Sequence, residues 1–102
     1  MGDRRMAEIR TEEGELYVYS HWAGHQLPEL ARQALSAAEV RRGDDPYALR
    51  IVLDQIMASG RDQPLGWGVM LKPVCEDEYN HDKPSVIVDL VNWKVTELPK
   101  RR

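Results

Sequence analysis

The stretch YVYSHWAGHQLPE, residues 17–29, combines the end of a predicted strand with the beginning of a predicted helix. Tyr17 and Tyr19 lie on one face of that strand and Val18 on the other, since side chains alternate across a sheet. Pro28 is typical of the first turn of a helix, where its missing N–H would have no partner. The chain therefore passes from sheet to helix here, which predicts an α+β fold.

The segments around this junction extend the pattern. Residues 6–21 contain MAEIRT and LYVYSH, two strand-like segments on either side of a turn with glycine, and predict a β-hairpin. Apolar residues at three- and four-residue spacing predict a helix over residues 27–42. Gly43 ends this helix, and Asp45 and Pro46 are typical of the N-cap and first position of a second one. The two helices form a predicted helical hairpin.

The alternating pattern of strands returns in the second half of the chain. It occurs in GWGVML at 66–71, PSVIVDL at 84–90 and WKVTEL at 93–98, and the last two segments are close enough for a hairpin. The order ββααβββ predicts a single α+β domain over residues 1–102. Its architecture is an antiparallel sheet of about five strands with the two-helix hairpin packed on one face.

Two helices cover only one face of such a sheet. The other face would leave Tyr17, Tyr19 and Ile87 exposed to water unless a ligand or a partner subunit covers them. A symmetric homo-oligomer is the simplest way to bury them. The pattern therefore predicts self-association.

Composition limits the class of protein. The 102 residues carry a net charge of −3, with 42% hydrophobic and 30% charged residues, as in ordinary globular domains. This charge disfavours nucleic acid as a partner, and the basic residues at Arg41, Arg42 and 100–102 are typical of solvated helix ends and tails. No apolar run is long enough for a membrane helix. A single cysteine and a charged N-terminal segment predict a cytoplasmic protein.

The sequence gives only weak evidence for a metal site or a nucleophilic cysteine. His21, His25 and His81 could form a metal site with carboxylates of the acidic loop at residues 76–82, but a solvated loop with structural histidines fits the pattern better. Cys75 precedes acidic residues that disfavour a reactive thiolate. We therefore expect neither a metal nor another cofactor, and no catalytic residues.

Anion binding is the better interpretation of the junction. A helix that begins near residues 27–30 offers free backbone N–H groups and a positive dipole end. Histidine side chains just before it can donate hydrogen bonds, and a tryptophan ring can stack on a base or pack in the core. The planar guanidinium of Arg50 can donate hydrogen bonds to phosphate. The alternative role of Arg50 is a salt bridge to Asp54. The candidate ligand-binding residues are Tyr19, His21, Trp22, His25, Arg50 and Trp67.

Three motifs resemble a family of small uncharacterised proteins of tailed phages and prophages. They are Y-x-H-W-x-G-x-x-L-P, D-x-Y-x-x-R-I-V with Q-x-M, and G-W-G-V, and the match covers about residues 17–70. The positions are Tyr19, His21, Trp22, Gly24, Leu27 and Pro28; Asp45, Tyr47, Arg50, Ile51, Val52, Gln55 and Met57; and 66–69. The resemblance implies a phage accessory protein of the host cytoplasm, with inhibition of host defence as one expected role.

Three functions follow as hypotheses. The first is a non-enzymatic homo-oligomer that sequesters a small anionic ligand, such as a cyclic or ADP-ribose-type nucleotide. His21, His25 and Arg50 would then bind phosphate or ribose, and Trp22 or Trp67 would stack. The second is a protein–protein inhibitor of a host defence complex that acts through the acidic loop. The third is a small nucleotide phosphodiesterase with His21 and His25 as acid and base.

Overall fold

The fold was analysed in a computed structural model that describes residues 5–20, 24–58, 66–72 and 84–98. These residues form five strands and two helices in the order ββααβββ that the sequence predicts. The strands are β1 (Arg5–Thr11), β2 (Gly14–Ser20), β3 (Trp67–Met70), β4 (Val86–Asp89) and β5 (Lys94–Glu97). The helices are α1 (Leu27–Ala37) and α2 (Asp45–Ile56), with short 3₁₀ turns at Gly24–Gln26 and Ala38–Arg41. The predicted α+β class is confirmed.

The five strands form one sheet in the order β3-β2-β1-β4-β5. The hairpins β1–β2 and β4–β5 are antiparallel as predicted, and β3 adds antiparallel to β2. However, β1 and β4 are parallel, so the prediction of an entirely antiparallel sheet is wrong for this pair. The two strands are distant in sequence, and no tight turn fixes their relative direction. The sheet is therefore mixed.

The two helices pack as a hairpin on one face of this sheet. The first helix is shorter than predicted, because α1 ends at Ala37 and tightens into the 3₁₀ turn Ala38–Arg41. Gly43 follows with a φ of +88°, a left-handed conformation that glycine adopts without a steric penalty. Asp44, one residue earlier than predicted, precedes α2 as its N-cap. No helix among the described residues is long and apolar enough to cross a membrane.

The hydrophobic core lies between the helices and one face of the sheet. Alternate residues of the central strands point into it, and the apolar stripes of both helices meet them. Its fully buried members include Ala7, Ile9, Val18, Val86 and Val88 from the sheet and Leu27, Ala31, Ala34, Ala48, Val52 and Ile56 from the helices.

The opposite face of the sheet is less exposed than the sequence suggests. Met6, Glu8 and Tyr17 are only 2%, 6% and 8% exposed in the single chain. Ile87 on the same face is half-buried. The expectation that this face leaves its tyrosines exposed is therefore wrong for Tyr17, and the centre of the face gives no reason for self-association.

Candidate functional site

Two of the aromatic residues predicted to bind a ligand lie on opposite faces of the sheet. Trp67 of β3 pairs with Ser20 and packs against the core beneath the helices. Tyr19 of β2 pairs with Gly68 on the other face, where a Cβ at Gly68 would lie 4.0 Å from the Tyr19 Cβ. Because the sheet separates the two rings, Tyr19 and Trp67 do not line one pocket.

Two of the predicted phosphate-binding residues, His25 and Arg50, lie on the helical layer. His25 is exposed in the 3₁₀ turn Gly24–Gln26, directly before α1, and Arg50 is exposed on α2. The first turn of α1 also carries Glu29, whose negative charge opposes an anion at this helix end. The other two candidates, His21 and Trp22, lie outside the described residues, so their role remains a prediction.

A different group of side chains combines positive charge with aromatic rings. The Arg41 Cζ lies 4.8 Å from the ring centroid of Tyr47, and the Arg42 Cζ lies 5.3 Å from that of Trp93. Both distances are within the range of cation–π attraction. Both arginine side chains and Tyr47 are more than half exposed, while Trp93 is half-buried against the core. We call these four residues the arginine–aromatic surface.

Three local structures bring the arginine–aromatic surface together. The 3₁₀ turn Ala38–Arg41 and the residue after it present the arginines, the first turn of α2 presents Tyr47, and the turn between β4 and β5 presents Trp93. Trp93 has a φ of +57°, which is uncommon for a residue with a bulky side chain. The cost of this conformation must be offset by the contacts of the turn.

The carboxylate of Asp89 provides those contacts. Its Oδ1 accepts hydrogen bonds from the backbone N–H groups of Val91 and Asn92 at 2.9 and 3.0 Å, and its Oδ2 accepts one from the Asn92 side chain at 3.0 Å. Burial alone would raise the pKa of Asp89, but these hydrogen bonds and the charge of Arg10 outweigh it and hold the pKa below its ordinary value. Asp89 thus positions Trp93 through the turn.

The two arginines are only loosely paired with carboxylates. An Arg41 nitrogen lies 3.7 Å from Asp44, and an Arg42 nitrogen lies 3.9 Å from Glu39. Such exposed ion pairs contribute little stability, so an anion with more charge than a carboxylate could take the place of Asp44 and Glu39. The cation–π contact uses the flat face of the guanidinium, while its N–H donors lie in the plane around the edge.

The sequence interpretation missed this surface for a physical reason. Arg41 and Arg42 fit the ordinary pattern of solvated cations near a helix end. The short spacing from Arg41 to Tyr47 was a signal that could have been used, because the link between the helices is tight. Trp93 is distant in the chain from Arg42, so only the packing of the β4–β5 turn against the helical layer reveals that pair.

A partly buried ion pair lies on the sheet face opposite the helices. Arg10 donates from Nε to Oε2 of Glu8 at 2.9 Å, and another guanidinium nitrogen lies 2.7 Å from the same oxygen. Tyr17 is directly across from Glu8 on the neighbouring strand. Burial raises the pKa of Tyr17, and the charges of Glu8 and Glu15 add to the effect. Arg10 compensates the buried charge of Glu8, which gives this ion pair a structural role.

Other predicted chemistry falls mainly outside the described residues. Cys75, His81 and the acidic loop at 76–82 lie there, so neither the nucleophile nor the acidic-loop interpretation is examined by the structure. Within the described ranges, no group of three His, Cys, Asp or Glu side chains is arranged to hold a metal ion.

Comparison with known proteins adds no relative. The chain gave no match to a protein-family model, to a curated protein or to a solved structure.

Proposed function

We propose that this protein binds and sequesters a small anionic ligand of nucleotide type at the arginine–aromatic surface, without chemical conversion. The observation that carries the proposal is the pair of neighbouring arginines that each lie over an aromatic ring, Arg41 on Tyr47 and Arg42 on Trp93. This combination supplies both kinds of contact that a nucleotide needs.

The phosphate end of such a ligand fits the arginines. A guanidinium offers two parallel N–H donors that match two phosphate oxygens, and hydrogen bonds of this charged kind are about twice as strong as neutral ones. The loose contacts with Asp44 and Glu39 would be exchanged for phosphate contacts. A phosphate group carries more charge than one carboxylate, which favours the exchange.

The base end of the ligand fits the exposed ring. Tyr47 is 59% exposed, so part of its surface is available for stacking. Stacking of a base on an aromatic side chain contributes about 1–3 kcal/mol. Two arginines and one accessible ring thus favour a ligand that has both phosphate and a planar ring over inorganic phosphate alone.

The side chains of this surface support binding rather than catalysis. Arginine stays protonated in proteins, and the tryptophan indole only donates a hydrogen bond. The four residues include no histidine, carboxylate or cysteine, the side chains that acid–base and nucleophilic catalysis use most often. The proposal therefore describes sequestration.

The biological setting is proposed from the resemblance to phage proteins. Under this proposal the protein is a phage accessory factor in the host cytoplasm, and its ligand is a cyclic or ADP-ribose-type nucleotide used as a signal in host defence. Sequestration lowers the free concentration of the signal. The acidic-loop inhibitor depends on residues 76–82 and the phosphodiesterase on His21 with His25, so neither alternative uses the arginine–aromatic surface.

Calorimetry with a panel of cyclic and ADP-ribose-type nucleotides tests the proposal. We expect the unchanged protein to bind at least one of them. Arg42→Glu should weaken that binding by at least about tenfold, because the substitution replaces a guanidinium that donates hydrogen bonds to phosphate with a carboxylate that repels it. Arg50→Glu is a matched control, since it makes the same charge change at an exposed position of α2.

Two results would contradict the proposal. If no nucleotide of the panel binds, sequestration of this ligand class is wrong. If Arg50→Glu abolishes binding and Arg42→Glu leaves it unchanged, the ligand lies elsewhere and the residues predicted from sequence are the better candidates. Unchanged nucleotides after incubation, measured by chromatography, are expected from sequestration.

A further inference from the structure

The edge strand β3 and the residue after it carry exposed apolar side chains. Among the described residues it pairs with β2 alone, so its other side is the end of the sheet. Val69, Met70 and Leu71 are 43%, 45% and 79% exposed, and residues 67–71 include no charged side chain. An uncharged apolar edge offers free N–H and C=O groups to another strand.

The other edge of the sheet is protected in two ways. Strand β5 carries Lys94 and Glu97, and charged side chains discourage strand addition. Glu97 also forms an ion pair with Arg32 of α1, with a nitrogen to oxygen distance of 2.9 Å. The difference between the two edges identifies β3 as the edge suited to a partner strand.

We infer that a second copy of this chain pairs antiparallel with β3 and continues the sheet across a two-fold axis. In such a symmetric interface the same segment faces itself, so it must not place like charges opposite each other. Residues 67–71 meet this requirement. A second copy is therefore the occupant that the segment itself fits, with no complementary charge needed from another protein.

The side chains of β3 fit this symmetric arrangement on both faces. Val69 pairs with Val18 on the helical side of the sheet, and Met70 pairs with Tyr17 on the opposite side. Two copies of β3 would therefore bring apolar side chains together above and below the new strand pair. In an antiparallel pair every second residue exchanges both backbone hydrogen bonds with its partner.

The resulting dimer should be weak. The strand has only four residues, and interfaces below about 1,200 Å² are usually transient. This inference concerns self-association and does not depend on the proposed ligand, because the arginine–aromatic surface includes no residue of β3.

Sedimentation velocity at protein concentrations from about 10 μM to 1 mM tests the inference, since this range covers the dissociation constants of weak complexes. We expect a monomer–dimer equilibrium, which Val69→Lys weakens at least about tenfold by placing two like charges at the interface. Val91→Lys is the matched control, because Val91 is 46% exposed and lies in the β4–β5 turn. Met70→Lys makes the same test from the other face of the sheet.

Hydrogen exchange identifies the interface independently. Backbone amides of β3 should become more protected as the concentration rises, and amides of β5 should not. Three results would overturn the inference: a monomer at every concentration, a dimer that Val69→Lys and Met70→Lys leave intact, and β3 amides whose protection does not vary with concentration. The last result would mean that another part of the same chain covers the edge.

Discussion

Replacing Asp89 with alanine is expected to lower the free energy of unfolding by about 2–3 kcal/mol, because the change leaves the turn between β4 and β5 without its acceptor. Two backbone N–H groups and the Asn92 side chain lose their hydrogen bonds, and the left-handed conformation of Trp93 loses the turn contacts that offset its cost. Urea denaturation followed by circular dichroism measures the effect.

Asp89→Asn distinguishes the stabilisation that comes from the hydrogen-bond acceptor from the stabilisation that comes from the negative charge. An asparagine oxygen still accepts hydrogen bonds from the backbone of the turn, so we expect a smaller loss of about 1 kcal/mol. If Asp89→Ala is as stable as the unchanged protein, the carboxylate does not hold the turn. In that case the explanation for the position of Trp93 is wrong as well.

The contribution of Asp89 should depend on pH in a defined direction. Its pKa is lower in the folded protein than in the unfolded chain, so the folded state favours the ionised form. This contribution is complete above the unfolded pKa of about 3.9 and is lost as the pH falls through the lower, folded value. The stability difference between the unchanged protein and Asp89→Asn should therefore shrink below about pH 4. A difference that grows at acid pH would contradict this assignment.

Replacing Arg10 with methionine is expected to cost about 1–2 kcal/mol of stability, because Glu8 is left in a buried position without its ion-pair partner. Glu8 is 6% exposed, but the Arg10 side chain is 42% exposed, so the loss should lie between the values for exposed and buried pairs. Chemical denaturation of the variant gives the free energy directly.

Two further variants test the reason for this loss. Arg32→Met removes the ion pair with Glu97, in which both side chains are about half exposed, and should cost no more than about 0.5 kcal/mol. The double variant Glu8→Leu with Arg10→Met should recover much of the lost stability, since no unpaired carboxylate remains. Equal losses for Arg10→Met and Arg32→Met would show that burial does not matter here.

The candidate site shows how far local reasoning extends. The sequence indicates that aromatic and histidine side chains flank the passage from β2 to α1 and that Arg50 belongs to the second helix. The structure places Tyr19 on β2, His25 directly before α1 and Arg50 on α2. However, Tyr19 and Trp67 lie on opposite faces of the sheet, because their pairing register assigns them different faces. A one-residue change in register would reverse the face, and the sequence did not fix the register of β3.

The surface proposed for self-association is the edge of the sheet and not the face that the sequence predicts, for a similar reason. The sequence shows which residues alternate, and it predicts that one face of the sheet lacks a helical cover. It does not show that Met6, Glu8 and Tyr17 are buried within the single chain. Nor does it show that β3 lies at the end of the sheet, since that position follows from the pairing of strands distant in sequence.

By itself, the sequence determined the features that depend on neighbouring residues. The α+β class, the two β-hairpins, the helical pair and the strand positions to within one or two residues follow from periodicity, glycine and proline over a few residues. Tertiary structure alone decided the parallel pairing of β1 with β4, the exposed edge at β3 and the contact of Arg42 with Trp93. Each of these features depends on segments that are far apart in the chain. Their free energy comes from tertiary packing, which the pattern of neighbouring residues does not specify.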